Sequence, residues 1–161
     1  NGKVTTTFTA LDNMNTVTFD LANELVVSSV KQGTADLSFV QNGNNELVIT
    51  LPNTLSSGNS ATVEMIYSGA PPQNAFEAFA VNVHAGAAGM WTLSEPYGAR
   101  DWWPCKQDLS DKINTIDVYI TAPSQYVSAA NGVEQNQVVN ANGTKTTHFR
   151  HTYPIPAYLI A

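Results

Sequence analysis

Apolar and polar residues alternate along most of this chain with the period of two that marks β-strands. In the clearest stretch Ile116, Val118 and Ile120 fall on one face, and Asp117, Tyr119 and Thr121 fall on the other. That is the pattern of a strand with one wet side. Val63, Met65 and Tyr67 repeat it. Strands are predicted over Val4 to Ala10, Thr16 to Leu21, Leu25 to Val30, Ala35 to Val40, Glu46 to Leu51, Ala61 to Tyr67, Ile113 to Thr121 and Thr144 to Thr152. Asn-Gly steps at Asn42-Gly43, Asn131-Gly132 and Asn142-Gly143 offer the positive φ of tight turns and so favour antiparallel neighbours. The one helical candidate, Ala75 to Val83, carries Phe76, Phe79, Val81 and Val83 at a spacing drifting towards two, with Pro71-Pro72 upstream, and reads as a further strand. Ala85 to Met90, built of small residues, reads as a loop. The predicted fold is all-β, an antiparallel β-sandwich or a strongly curved, saddle-like sheet, in a single domain over 1–161.

Size agrees, since a chain of 161 residues buries about two-thirds of its unfolded surface in one core. Charged residues are only 12% of the chain, and 13 acidic against 7 basic side chains leave a formal charge of −6. Such a chain lacks the positive footprint that nucleic acid or anionic lipid requires, so neither is an expected partner. No apolar run reaches the length of a membrane span, and Asn1 to Thr5 lack the apolar core of a signal peptide, so no membrane insertion is expected. Ala157 to Ala161 ends inside an apolar run without a turn residue, which predicts a fragment of a longer protein with its first strand and C-terminal edge truncated.

Candidate chemistry is sparse. A hydrolytic zinc site needs two imidazoles one helical turn apart, as in His-Glu-x-x-His, and the chain has none. His148 and His151 point to opposite faces of a predicted strand, and His84 stands alone, so all three read as ordinary histidines and no metal ligand is assigned. Cys105, the lone cysteine, has no histidine base near it in sequence and reads as a buried thiol. On an extended backbone Trp102 and Trp103 would face opposite sides, one in the core and the other free to stack a sugar or meet another domain. Pro96 restricts Glu95 to extended conformations, which pre-sets its backbone; by itself this carboxylate reads as a solvated turn residue.

The segment Glu95-Pro96, Ala99-Arg100, Trp102-Trp103-Pro104-Cys105, Asp108 and Lys112, followed by Pro123-Ser-Gln-Tyr126, Ser128-Ala-Ala-Asn-Gly132 and Pro154-Ile-Pro-Ala-Tyr-Leu-Ile-Ala161, resembles the N-terminal domain of the zinc aminopeptidases related to aminopeptidase N and leukotriene hydrolase. The likeness is specific from Trp91 onward and generic before it. Leu93 stands where relatives often carry Gln. Gln107-Asp108-Leu109 departs from the common Asp-Glu-Pro towards the secreted bacterial members.

The resemblance implies that catalysis, the zinc cofactor and the general base belong to a following domain, with no catalytic or metal-binding residue in this chain, so that the fragment alone is inactive. It implies one substrate-binding residue, Glu95, whose carboxylate holds the α-ammonium of a peptide N-terminus. The expected partners are that peptide and the enzyme's own catalytic domain. The chemistry is coherent, because only a chain end carries a cationic amine able to donate charge-assisted hydrogen bonds, and fixing it registers the first peptide bond over the zinc-activated water. Low charge and abundant asparagine favour an extracytoplasmic home, secreted, periplasmic or cell-surface. The competing expectation is a stand-alone β-sandwich module that binds carbohydrate or protein without catalysis, stacking sugars on Trp102 or Trp103.

Overall fold

The computed structural model describes residues 1–73 and 78–161. Every strand pairing in it is antiparallel, and its only helical elements among the described residues are two 3-10 turns, over Ala99–Asp101 and Ala157–Leu159. The expected all-β class is found. β1 (Gly2–Thr9), β7 (Ser60–Gly69), β3 (Leu25–Gln32) and β4 (Ala35–Asp36) form one sheet in the order β1-β7-β3-β4. β2 (Met14–Asp20), β6 (Glu46–Leu55) and β5 (Phe39–Asn42) form a second, in the order β2-β6-β5.

Alternation puts Val63, Met65 and Tyr67 of β7 and Leu47, Ile49 and Leu51 of β6 into one common core. Phe8 and Phe19 close it edge to face, with ring centroids 6.4 Å apart. Full burial of Leu47, Ile49, Val63 and Met65 contributes roughly 1.5–3 kcal/mol each. A bulge between Val27 and Ser29 lets Val27 and Val30, three apart, both turn inward. The Gln41 side chain then ties the sheets, its Nε2 donating to the Leu25 carbonyl and its Oε1 accepting from the Val27 N–H, both at 2.8 Å.

The strand expected from Ala35 to Val40 is divided between the two sheets. Leu37 is buried at the crossing, where its N–H donates to Val30 and the next carbonyl, of Ser38, accepts from Thr50. A third sheet, β10 (Ile116–Pro123), β12 (Thr144–His151) and β11 (Val133–Val139), takes the order β10-β12-β11, and its last two strands are joined by the Asn142-Gly143 turn with Gly143 at φ 78°. At Asn42-Gly43 the chain also turns, but Asn45, at φ 61°, supplies the left-handed residue. Asn131 makes no hairpin: its side chain donates to the Leu159 carbonyl and accepts from the Ala161 N–H. The C-terminal apolar run forms a 3-10 turn there, over Ala157–Leu159, with Ala157 and Ile160 in the core.

β8 (Phe79–His84) and β9 (Ala87–Thr92) form a two-stranded sheet of their own. The loop expected from Ala85 to Met90 is therefore mostly strand, with only Ala85 and Gly86, both at positive φ, making the turn. Of the strand expected from Ala75 to Val83, residues 75–77 lie outside the described residues.

Candidate functional site

Directly after β9 the chain makes a turn that carries Glu95 and then enters the 3-10 turn over Ala99–Asp101. The Glu95 side chain is exposed, and among the described residues it has no hydrogen bond or ion pair. The residues around it are fixed. The Leu93 N–H donates to the Ala78 carbonyl at 3.0 Å, and the Gly98 N–H closes the turn on the Ser94 carbonyl at 2.8 Å. Ser94 is buried, and its Oγ accepts the indole N–H of Trp102 at 2.8 Å. The Glu95-Pro96 peptide bond is cis. Gly98 is required here because a Cβ on it would lie 2.7 Å from the Ala78 Cβ.

The next residues are stitched to the core. The Arg100 carbonyl accepts the Ala22 N–H at 2.9 Å, and the Trp102 carbonyl accepts the Tyr67 hydroxyl at 2.8 Å. Asp20 and Cys105 exchange both backbone hydrogen bonds, at 2.7 and 3.0 Å, and the Gln107 N–H reaches the Asp20 carboxylate at 3.0 Å. Cys105 is a free, buried thiol whose pKa is pushed far up by burial and then by the Asp20 charge. A thiol so far from its thiolate is no nucleophile. Burial, and after it Cys105, raises the Tyr67 phenol to about 12.

The tryptophan pair departs from expectation. The 3-10 turn just before them breaks the extended geometry, so Trp102 and Trp103 do not split between core and solvent. Their rings lie 5.9 Å apart, Trp103 buried and Trp102 partly buried against the same core. Neither ring is among the exposed large apolar side chains. The exposed tryptophan is Trp91, on β9. Sequence reasoning also missed Ser94 and Gly98, whose bracing of Glu95 depends on contacts with Trp102 and Ala78 that no spacing rule exposes.

Two of the histidines are engaged with neighbours on the third sheet. His148 Nε2 lies 2.6 Å from Asp117 Oδ1 and its ring stacks on Tyr119 at 4.2 Å, while His151 meets Tyr153 edge-on at 6.0 Å. Among the described residues no three His, Cys, Asp or Glu side chains gather as a zinc site would need, so the donor set here does not fit a zinc ion.

The chain is 30% identical over 167 residues to "Leucine aminopeptidase 2" of Vanderwaltozyma polyspora, an alignment covering 99% of this chain and 25% of that protein. It superimposes with a TM-score of 0.84 and 29% identity on an M1 zinc metallopeptidase from Deinococcus radiodurans, covering 98% of this chain and 36% of that one. A structure described as a two-domain M1 zinc metallopeptidase variant bound to L-arginine gives a TM-score of 0.85 at the same identity and coverage. The chain thus spans about a quarter to a third of the length of these relatives. Residues 1–159 match the Peptidase M1 N-terminal domain, and the chain belongs to that family.

Proposed function

We propose that this chain is the substrate-anchoring domain of a zinc aminopeptidase that removes N-terminal residues from peptides, and that Glu95 binds the substrate's α-ammonium group. On this reading the zinc and the general base lie in a following domain, and this domain alone is inactive. The observation that carries the reading is an exposed carboxylate, unpaired among the described residues, on a turn held before it by Leu93 to Ala78 and Ser94 to Trp102 and closed after it by the Gly98 N–H on the Ser94 carbonyl. A carboxylate presented this way gives an ammonium two acceptor oxygens at little cost in backbone ordering. An extracytoplasmic home belongs to the same proposal and rests on the low charge of the sequence.

The test uses the longer protein that carries this domain. Removing one partner of a desolvated charge pair costs roughly 2–5 kcal/mol, so Glu95→Ala lowers kcat/KM between about thirty- and several-thousandfold with zinc content unchanged. KM rises and kcat falls together, since a misplaced amine also misplaces the scissile bond. Glu95→Gln, which keeps an acceptor and loses the charge, falls between. Unchanged kinetics in Glu95→Ala would refute the assignment.

A further inference from the structure

The β8–β9 hairpin carries a face whose exposure conflicts with its composition. Register pairs Phe79 with Thr92, Val81 with Met90 and Val83 with Ala88, so these side chains share one side of the ribbon. On the opposite side Ala80 is buried at the base, while Asn82, His84 and Trp91 are exposed. On the first side Val81, Val83 and Met90 are 72%, 65% and 56% exposed. No Asp, Glu, Lys or Arg occurs between Phe79 and Thr92. Solvent-facing ribbons are normally guarded by charge, and a two-stranded hairpin alone in water is marginal. An apolar, uncharged ribbon that pairs with no other strand among the described residues is a surface built to be covered.

Its position says by what. The Leu93 N–H to Ala78 carbonyl bond and the close approach of Gly98 to Ala78 join the base of the hairpin to the Glu95 turn. Whatever covers the hairpin therefore lies beside whatever Glu95 faces. The structural relatives supply a candidate of the right kind. This chain covers 36% of a two-domain M1 zinc metallopeptidase, and the greater part of that protein lies outside the match.

We infer that the Val81, Val83 and Met90 face docks an apolar, uncharged strip on the second domain of the longer protein, the domain to which Glu95 presents its carboxylate. This rests on the function proposed above and names the partner surface of the same site. Hydrophobic burial of the ribbon would fix the angle between the domains, and the joined turn would carry that angle to Glu95.

The experiment is side-chain footprinting of the longer protein. With no substitution at all, oxidation of Met90 followed by mass spectrometry is expected to be at least tenfold slower than in the denatured chain, approaching the fully buried Met65. Introduced singly, Val83→Cys and Met90→Cys are expected to react with a maleimide at least tenfold more slowly than Tyr119→Cys, a control on β10 where the native side chain is 64% exposed. Cys105 is buried and silent in the folded protein. Met90 oxidised as fast as in the denatured chain, or hairpin cysteines labelled as fast as position 119, overturns the proposal. Protection that grows with protein concentration also overturns it, because a second copy is then the occupant. If the hairpin is shielded while Glu95→Ala leaves kinetics intact, the docking surface stands and the ammonium assignment fails. If the hairpin is open while Glu95→Ala is crippled, the ammonium assignment stands and the docking surface fails.

Discussion

Ser94→Ala is the most direct probe of how Glu95 is held. The serine is 2% exposed, and its Oγ accepts the Trp102 indole N–H at 2.8 Å. Alanine keeps the backbone and removes the acceptor, leaving a partly buried N–H without a partner. An unsatisfied buried donor costs about 1–3 kcal/mol, and the lower half of that range applies because Trp102 retains some access to water. For a domain of this size each kcal/mol moves Tm by about 2–4 °C, so a fall of about 2–8 °C is expected. Thermal unfolding followed by near-ultraviolet circular dichroism measures it.

A double-mutant cycle isolates the bond from the packing. Trp102→Phe removes the donor together with contacts to the core, so alone it costs more than Ser94→Ala. With both partners gone, no polar atom is stranded, and the pair is expected to be less destabilised than the sum of the singles by on the order of 1 kcal/mol. Additive effects, or a Tm for Ser94→Ala within about 1 °C of wild type, would show that this bond does not brace the turn.

Two further perturbations test the frame around it. Gly98→Ala places a Cβ 2.7 Å from that of Ala78 while φ, at −87°, stays allowed, so the penalty is steric, about 1–3 kcal/mol in a urea titration, and Ala78→Gly should recover part of it. Tyr67 links folding to alkaline pH: its folded pKa is raised to about 12 from 10.0, so its contribution is complete below pH 10 and is lost as pH rises through 12. That shift corresponds to on the order of 3 kcal/mol. Absorbance of the phenolate should show one tyrosine ionising last and together with unfolding, a feature that Tyr67→Phe removes.

How far the sequence revealed this structure depends on what fixes each element. Val63, Met65 and Tyr67 alternate because one face of β7 is buried, and a buried face writes itself into the sequence. β11 has no buried residue and so no alternation, which is why Val133–Val139 escapes prediction. β9 is rich in Ala and Gly, poor strand formers, and pairing with β8 overrides that preference. The crossing at Leu37 is a tertiary decision, since nothing local says that a strand will change sheets. Glu95 stood out only through the residues that follow it, while the serine and glycine bracing it are ordinary turn residues until Trp102 and Ala78 are brought against them.

These contacts divide the ordering of Glu95 into two parts. Ser94 is tied to Trp102, Trp102 to Tyr67 and Cys105 to Asp20, so the backbone under the carboxylate is continuous with the buried core. The side chain itself is bound to nothing among the described residues, and fixing a glutamate's rotamers costs up to about 2 kcal/mol. The domain removes the backbone part of the ordering cost before any ligand arrives and leaves the side-chain part to the ligand. On the proposed function, a ligand that lacks an α-ammonium would have to meet that cost without a charge-assisted bond. Discrimination between a chain end and an internal peptide would then reside in one flexible carboxylate on a rigid turn, and loosening the turn through Ser94 should erode that discrimination while leaving Glu95 chemically intact.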